Sequence, residues 1–176
     1  MPGRRCLRSA LILATGGVAF LALATPALAA NNDPSGANGT VKIDNLELDR
    51  GPGPGTDNDP HVPCAFAVNF FNFDKGQRAD ILFTAHQPTG SGEELLSRKD
   101  VLASSDPAGG AAPDPDESYK FSASDLGLGR YTPHPKQGYH VKLTVTLKGA
   151  PGAGKHKVFW IGPCAGIPTP SGATPG

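Results

Sequence analysis

The stretch YHVKLTVTL (residues 139–147) alternates without a break, with Val141, Leu143, Val145 and Leu147 on one side and Lys142, Thr144 and Thr146 on the other. A period of two sets one face on a core and the other in water, as in a half-buried β-strand. Residues 149–154 then supply glycine and proline for a turn, and KHKVFWI (residues 155–161) leads back toward Cys164. Two such segments around a turn predict a C-terminal β-hairpin. In its second strand His156, Val158 and Trp160 share one face, and Lys157, Phe159 and Ile161 the other. Val158 and Trp160 are expected in the core.

The same alternation appears at TVKID (residues 40–44) and resumes at Leu46-Glu47-Leu48. Residues 51–60, GPGPGTDNDP, cannot hold a hydrogen-bonded ladder and read as a surface loop. The most apolar stretch is CAFAVNFFNF (residues 64–73), where Phe66, Val68 and Phe70 fall on one face and Phe71 and Phe73 on the other. This strand is either covered on both faces or bulged near Phe70. After a turn at residues 74–77, residues 78–86 form another strand carrying Ile81 and Phe83, expected to pair with residues 64–73 as a hairpin. Residues 94–102 read as a short edge strand or a single helical turn, and residues 119–123 as a strand. The remaining core candidates are Val41, Ile43, Phe121 and the apolar side of residues 141–145.

Six or seven short strands separated by turn signals, and no convincing helix, predict an all-β chain. The first choice is an Ig-like β-sandwich of antiparallel strands, with another sandwich or a small barrel as the alternative. The composition agrees. Of 176 residues, 23 are Gly and 18 are Pro, and only 18% are charged, which excludes a helical bundle or coiled coil. Lys+Arg and Asp+Glu stand at 16 each, so no cationic surplus exists to neutralise nucleic-acid phosphates.

Residues 1–29 have the three parts of a secretory signal peptide: Arg4, Arg5 and Arg8, an apolar run, and Ala27-Leu28-Ala29 before the cleavage point. The chain therefore divides into a signal peptide (1–29), a flexible leader (30–38), the β-domain (39–164) and a disordered Pro/Gly/Ser/Thr tail (165–176). Cleavage removes three arginines and leaves 13 basic against 16 acidic side chains, a net charge of −3. Cys6 also leaves, and Cys64 and Cys164 are expected to form one disulfide in an oxidising compartment. The expected location is secreted, extracellular or loosely wall-associated, with no membrane attachment after cleavage.

No pattern of catalytic residues stands out. His61, His86, His134, His140 and His156 form no metal-binding signature, and Asp114-Pro115-Asp116-Glu117 lacks the spacing of a calcium loop. There is no nucleophile elbow, and no cofactor motif. The aromatics are the better lead. One core face cannot hold all of them: either a second layer, helped by the long segment at residues 87–117, covers the rest, or Phe71, Phe73 and Phe159 are candidates for an exposed interaction patch.

The segments GTVKI (39–43), PHVPCAFAVNFFNFDKGQ (60–77), GYHVKLTV (138–145) and KHKVFWIGPC (155–164) together resemble a family of small exported proteins of actinobacteria and other high-GC Gram-positive bacteria. The resemblance spans residues 39–164, and KHKVFW is its most specific element. It implies a secreted or wall-associated surface protein, and it carries over no catalytic residue. Anchored members end in a sorting signal. This sequence has no Leu-Pro-x-Thr-Gly motif after Cys164, so covalent wall attachment is not expected. The functional expectation is a secreted, non-catalytic structural or interaction module with a cell-envelope or extracellular protein or glycan as partner. The alternative is a domain that binds a small ligand or carbohydrate.

Overall fold

Where the period-two pattern is strongest, the backbone is extended. The computed structural model describes residues 39–46, 58–105, 114–150 and 154–164, all within the unit formed by residues 31–176. Among them are eight strands: β1 (Thr40–Asp44), β2 (His61–Val62), β3 (Ala65–Phe71), β4 (Arg78–Ala85), β5 (Glu94–Leu102), β6 (Glu117–Ser122), β7 (Tyr139–Leu147) and β8 (Gly154–Ile161). A single 3₁₀ turn lies at Leu128–Arg130. The strands form two sheets, ordered β1-β3-β6 and β2-β8-β7-β4-β5. All pairings are antiparallel except β2 with β8, which is parallel. The chain is all-β, and Cys64 and Cys164 are joined in a disulfide. The expected segments 1–29, 30–38 and 165–176 lie outside the described residues, as do Glu47 and Leu48.

The inner faces of the two sheets meet at a cluster of rings. Phe66 of β3 lies 6.0 Å from Phe83 of β4, 5.9 Å from Phe121 of β6 and 5.3 Å from Phe159 of β8, measured between ring centroids. Most of these contacts are edge-to-face, the arrangement favoured by the ring quadrupole. Val41, Ile43, Val68, Ile81, Val141, Leu143 and Val145 fill the space around them, all buried.

Strand β3 is covered on both faces and has no bulge: its register with β1 runs unbroken from Thr40 opposite Phe71 to Asp44 opposite Ala67. Its outer face is polar at the centre, where the Asn69 amide donates to Asp44 at 2.9 Å and the Ser118 hydroxyl donates to Asn69 at 2.7 Å. These bonds explain why a fully buried asparagine is tolerated in the strand.

Three expectations are corrected. Residues 64–73 and 78–86 do not form a hairpin, because β3 and β4 belong to different sheets. The cause is Asn72, whose φ of 58° reverses the backbone and sends Phe73 into the core 5.5 Å from Phe70. An Asp116 carboxylate oxygen accepts the Phe73 N–H at 2.8 Å and holds that crossing. For residues 94–102 the edge-strand reading holds: β5 lies at the edge of its sheet, is nine residues long, and pairs along β4 through two register shifts. In β8 the faces are exchanged: Phe159 and Ile161 enter the core, while Val158 is 44% exposed and Trp160 half-buried. Lys155 and Lys157 share the inward side of β8 with them and stay partly exposed. Inward-facing lysines on a strand with little outer pairing are a known guard against edge-to-edge association.

The third correction concerns the aromatic patch, of the two readings the one with exposed rings. Phe71, Phe73 and Phe159 are 7%, 0% and 1% exposed, so they offer no apolar surface. Phe73 and Phe159 are core residues for the reasons above. Phe71 lies on the outer face of β3 with the Lys42 ammonium 5.3 Å above its ring, a cation–π contact that shields it.

Candidate functional site

Because Val141, Leu143 and Val145 point inward, the alternate residues of β4, β7 and β8 form a grid on the outer face of the five-stranded sheet. Its rows follow the register. Leu82, Thr144 and His156 form the first, and Thr84, Lys142 and Val158 the second. The third row begins at His86, whose N–H donates to the His140 carbonyl at 2.9 Å, and continues through Trp160 to His61. Neighbouring strands are about 4.8 Å apart and successive rows about 7 Å, so these side chains are within reach of one ligand.

The third row is a ridge of rings. His140 stacks on Trp160 with centroids 4.2 Å apart and planes 12° apart. His86 meets His140 edge-on at 4.8 Å, and His134 meets Trp160 at 5.7 Å. One face of the indole is therefore covered by His140, and His134 makes a steeply inclined contact with the same ring. The His140 Nδ1 is hydrogen-bonded to the Gln87 carbonyl, which can only accept, so that nitrogen carries the proton. His134 is the reverse case: its Nδ1 faces the N–H groups of Lys136 and Gln137 at 3.3 and 3.2 Å and accepts from both.

Gly138 positions this ridge. It sits at φ +79°, and a Cβ there would lie 2.1 Å from the Ile161 carbonyl oxygen. Gly138→Ala is expected to cost roughly 1–3 kcal/mol from the left-handed backbone alone. It should also separate His134 from Trp160, read as a shift in Trp160 emission. Unchanged stability and emission would show that the backbone can give way here.

Beside the ridge lies a groove of about 480 Å³, lined by Leu82, Thr84, Lys142 and Thr144 on the strands and by His86, Gln87 and residues 90–92 at one side. Among the described residues Lys142 makes no ion pair. The acids farther along the same face are engaged. Asp80 has the Lys148 ammonium at 2.9 Å, the Lys99 ammonium at 3.6 Å and the Asp100 N–H at 2.9 Å. Asp100 in turn accepts from Arg78 Nε at 2.9 Å. Near the groove's loop wall, a Glu93 carboxylate oxygen accepts the Ser91 N–H at 2.7 Å, and backbone donors hold that carboxyl below its ordinary value.

The Asp80 carboxyl is lowered to about 2, first by the hydrogen bond from Lys148 and then by the Asp100 N–H. A depressed carboxylate pKa favours the folded state above the unfolded value, and that contribution is lost as pH falls through about 4 toward 2. A carboxyl-detected NMR titration should place the Asp80 midpoint near 2, and Lys148→Ala should raise it toward the usual carboxylate range. An unmoved midpoint would remove Lys148 as the cause.

Sequence reasoning treated the histidines singly and missed that four of them gather around Trp160. The one available signal is that His140 and Trp160 stand on adjacent strands of the expected hairpin, and it is masked because Trp160 is expected in the core while His140 alternates with core residues. Among the described residues no three His, Cys, Asp or Glu side chains converge to hold a metal ion. Asp116 is committed to the Phe73 N–H and to a backbone bond with Phe70, which accounts for one member of the acidic loop cluster. No described helix is long and apolar enough to cross a membrane. The chain matches no protein-family model, no curated protein and no solved structure.

Proposed function

We propose that this chain is an exported, non-catalytic binding module with an Ig-like fold, acting at the bacterial cell surface or outside it. The observation that carries the reading is the outer face of the five-stranded sheet, where a ring ridge and a groove with one unpaired ammonium lie open side by side. An open, one-sided site of this kind suits a surface-bound partner better than a reaction that must exclude water.

The Ig-like part rests on strand order. A constant-type Ig sandwich places its first, second, fourth and fifth strands in one sheet and its third, sixth and seventh in the other. Treating β1 and β2 as one first strand divided between the sheets, the orders β1-β3-β6 and β2-β8-β7-β4-β5 agree with that scheme at every strand except the fourth, since β5 pairs with β4 at the edge of the other sheet. The pin differs. The Phe66–Phe83–Phe121–Phe159 cluster occupies the middle, where antibody domains carry a disulfide and a tryptophan. The disulfide lies instead at one end of the domain.

Export is supported by the signal-like residues 1–29, and the disulfide is compatible with it. The test is to express the full chain in an actinobacterial host and assay medium, envelope and cytoplasm. Oxidised protein cleaved after Ala29, recovered from the medium or released from envelopes by salt, is the expected result. Uncleaved, reduced protein confined to the cytoplasm would overturn the proposal.

A further inference from the structure

We infer that the groove between β4, β7 and the loop at residues 86–92 binds an acidic sugar unit of a polysaccharide, with the sugar carboxylate on Lys142. The inference rests on the binding-module reading and gives its ligand a chemical class.

The floor suits a sugar ring. Leu82 supplies an apolar patch for the C–H face of the ring, and two hydroxyls flank it for a rim of hydroxyl groups: that of Thr84, and that of Thr144, which also bonds His156 Nδ1 at 3.2 Å and keeps its remaining hydrogen-bonding capacity for a ligand. The volume, about 480 Å³, lies in the range of small-ligand sites. Among the described residues no carboxylate lines the groove itself, and the face's acids Asp80 and Asp100 already have Arg78, Lys99 and Lys148 beside them. Of the two acids nearer by, Glu93 at the loop wall is held by backbone donors with Arg130 close to it, and Glu94 lies opposite Thr84, two strands from Lys142. Lys142 thus makes no ion pair with a described carboxylate, and its field favours an anion. His86 stands at the wall as a second nitrogen-bearing group, held edge-on against His140.

The surroundings disfavour other occupants. A peptide cannot add as a strand, because β4 is paired on both sides by β5 and β7, and β7 by β4 and β8. A nucleic acid needs a track of cations to replace its counterions, and the groove has one lysine. The groove is bounded by strands below and one loop at the side, so it can admit a unit within a longer chain.

The experiment titrates the purified, oxidised protein with polygalacturonate, and with neutral dextran, polyphosphate and duplex DNA as comparators. Calorimetry is the primary readout. Emission of Trp160, the chain's one tryptophan, reports through His140 and His86. Polygalacturonate should bind, and Lys142→Glu should weaken it at least tenfold. Lys142→Gln should weaken it less, and Lys120→Glu, an equal charge change at an exposed site on the other sheet, should have no effect. Thermal melts of each variant check folding. Equal binding of dextran, tighter binding of polyphosphate or DNA, an equal loss in Lys120→Glu, or no binding of polygalacturonate would each overturn the inference. Salt-releasable envelope binding that persists in Lys142→Glu would overturn it while leaving the binding-module reading intact.

Discussion

Phe66→Ala is expected to lower the unfolding free energy by about 3–5 kcal/mol, measured by urea denaturation. The ring is fully buried and lies within 6.0 Å of three other phenylalanine rings drawn from both sheets. Truncation removes its transfer energy, leaves a void, and ends aromatic pairings worth about 0.5–1.5 kcal/mol each. These rings come from β3, β4, β6 and β8, so the walls cannot close the gap without moving strands. A typical domain has only about 5–15 kcal/mol in total, so the variant should sit near its unfolding threshold. Val158→Ala is the contrast: at 44% exposure it should change stability by no more than about 0.5 kcal/mol. A loss below about 2 kcal/mol in Phe66→Ala would mean that the ring cluster is not the centre of the core.

The second large effect is loss of the disulfide. Cys64 and Cys164 are separated by 100 residues, and a loop of that length is worth about 4.7 kcal/mol by chain entropy. The double variant Cys64→Ser/Cys164→Ser should lose close to that amount, and its urea slope should rise because the unlinked unfolded chain exposes more surface. This separates the two predictions, since Phe66→Ala should shift the midpoint and leave the slope unchanged. A double variant as stable as the oxidised protein would show that the bridge leaves the unfolded chain's freedom untouched.

What the sequence disclosed depended on whether a local pattern had one solution. The alternation at residues 139–147 has one, and β7 forms where it says. Residues 155–161 have two, because both parities carry apolar and polar groups, and the wrong one attracts Trp160 as the largest side chain. Position resolves it: β8 is paired on its outer side only at Trp160 and Ile161, so lysines on its inward parity can still reach water. Residues 64–73 read as a strand leading into a hairpin because the following turn is short. Nothing local marks Asn72 as the point where the chain leaves one sheet for the other, although asparagine tolerates its positive φ. The ridge around Trp160 was hidden for a related reason. It joins residues from five segments: the register of β2, β4, β7 and β8 brings His61, His86, His140 and Trp160 together, and the bridge between His134 and Gly138 adds His134.

The position of the bridge also governs how the domain carries force. Tension applied between β1 and chain leaving Cys164 passes through the sulfur–sulfur bond to Cys64, and everything between the two cysteines stays slack. Only residues 40–64 can be drawn out, about 85 Å of chain at full extension, against about 420 Å for residues 40–164 if the bond were absent. Loaded this way, the protein yields only a short length of chain: β1 peels from β3 and β2 from β8, and the ring cluster and the groove stay assembled behind the clasp.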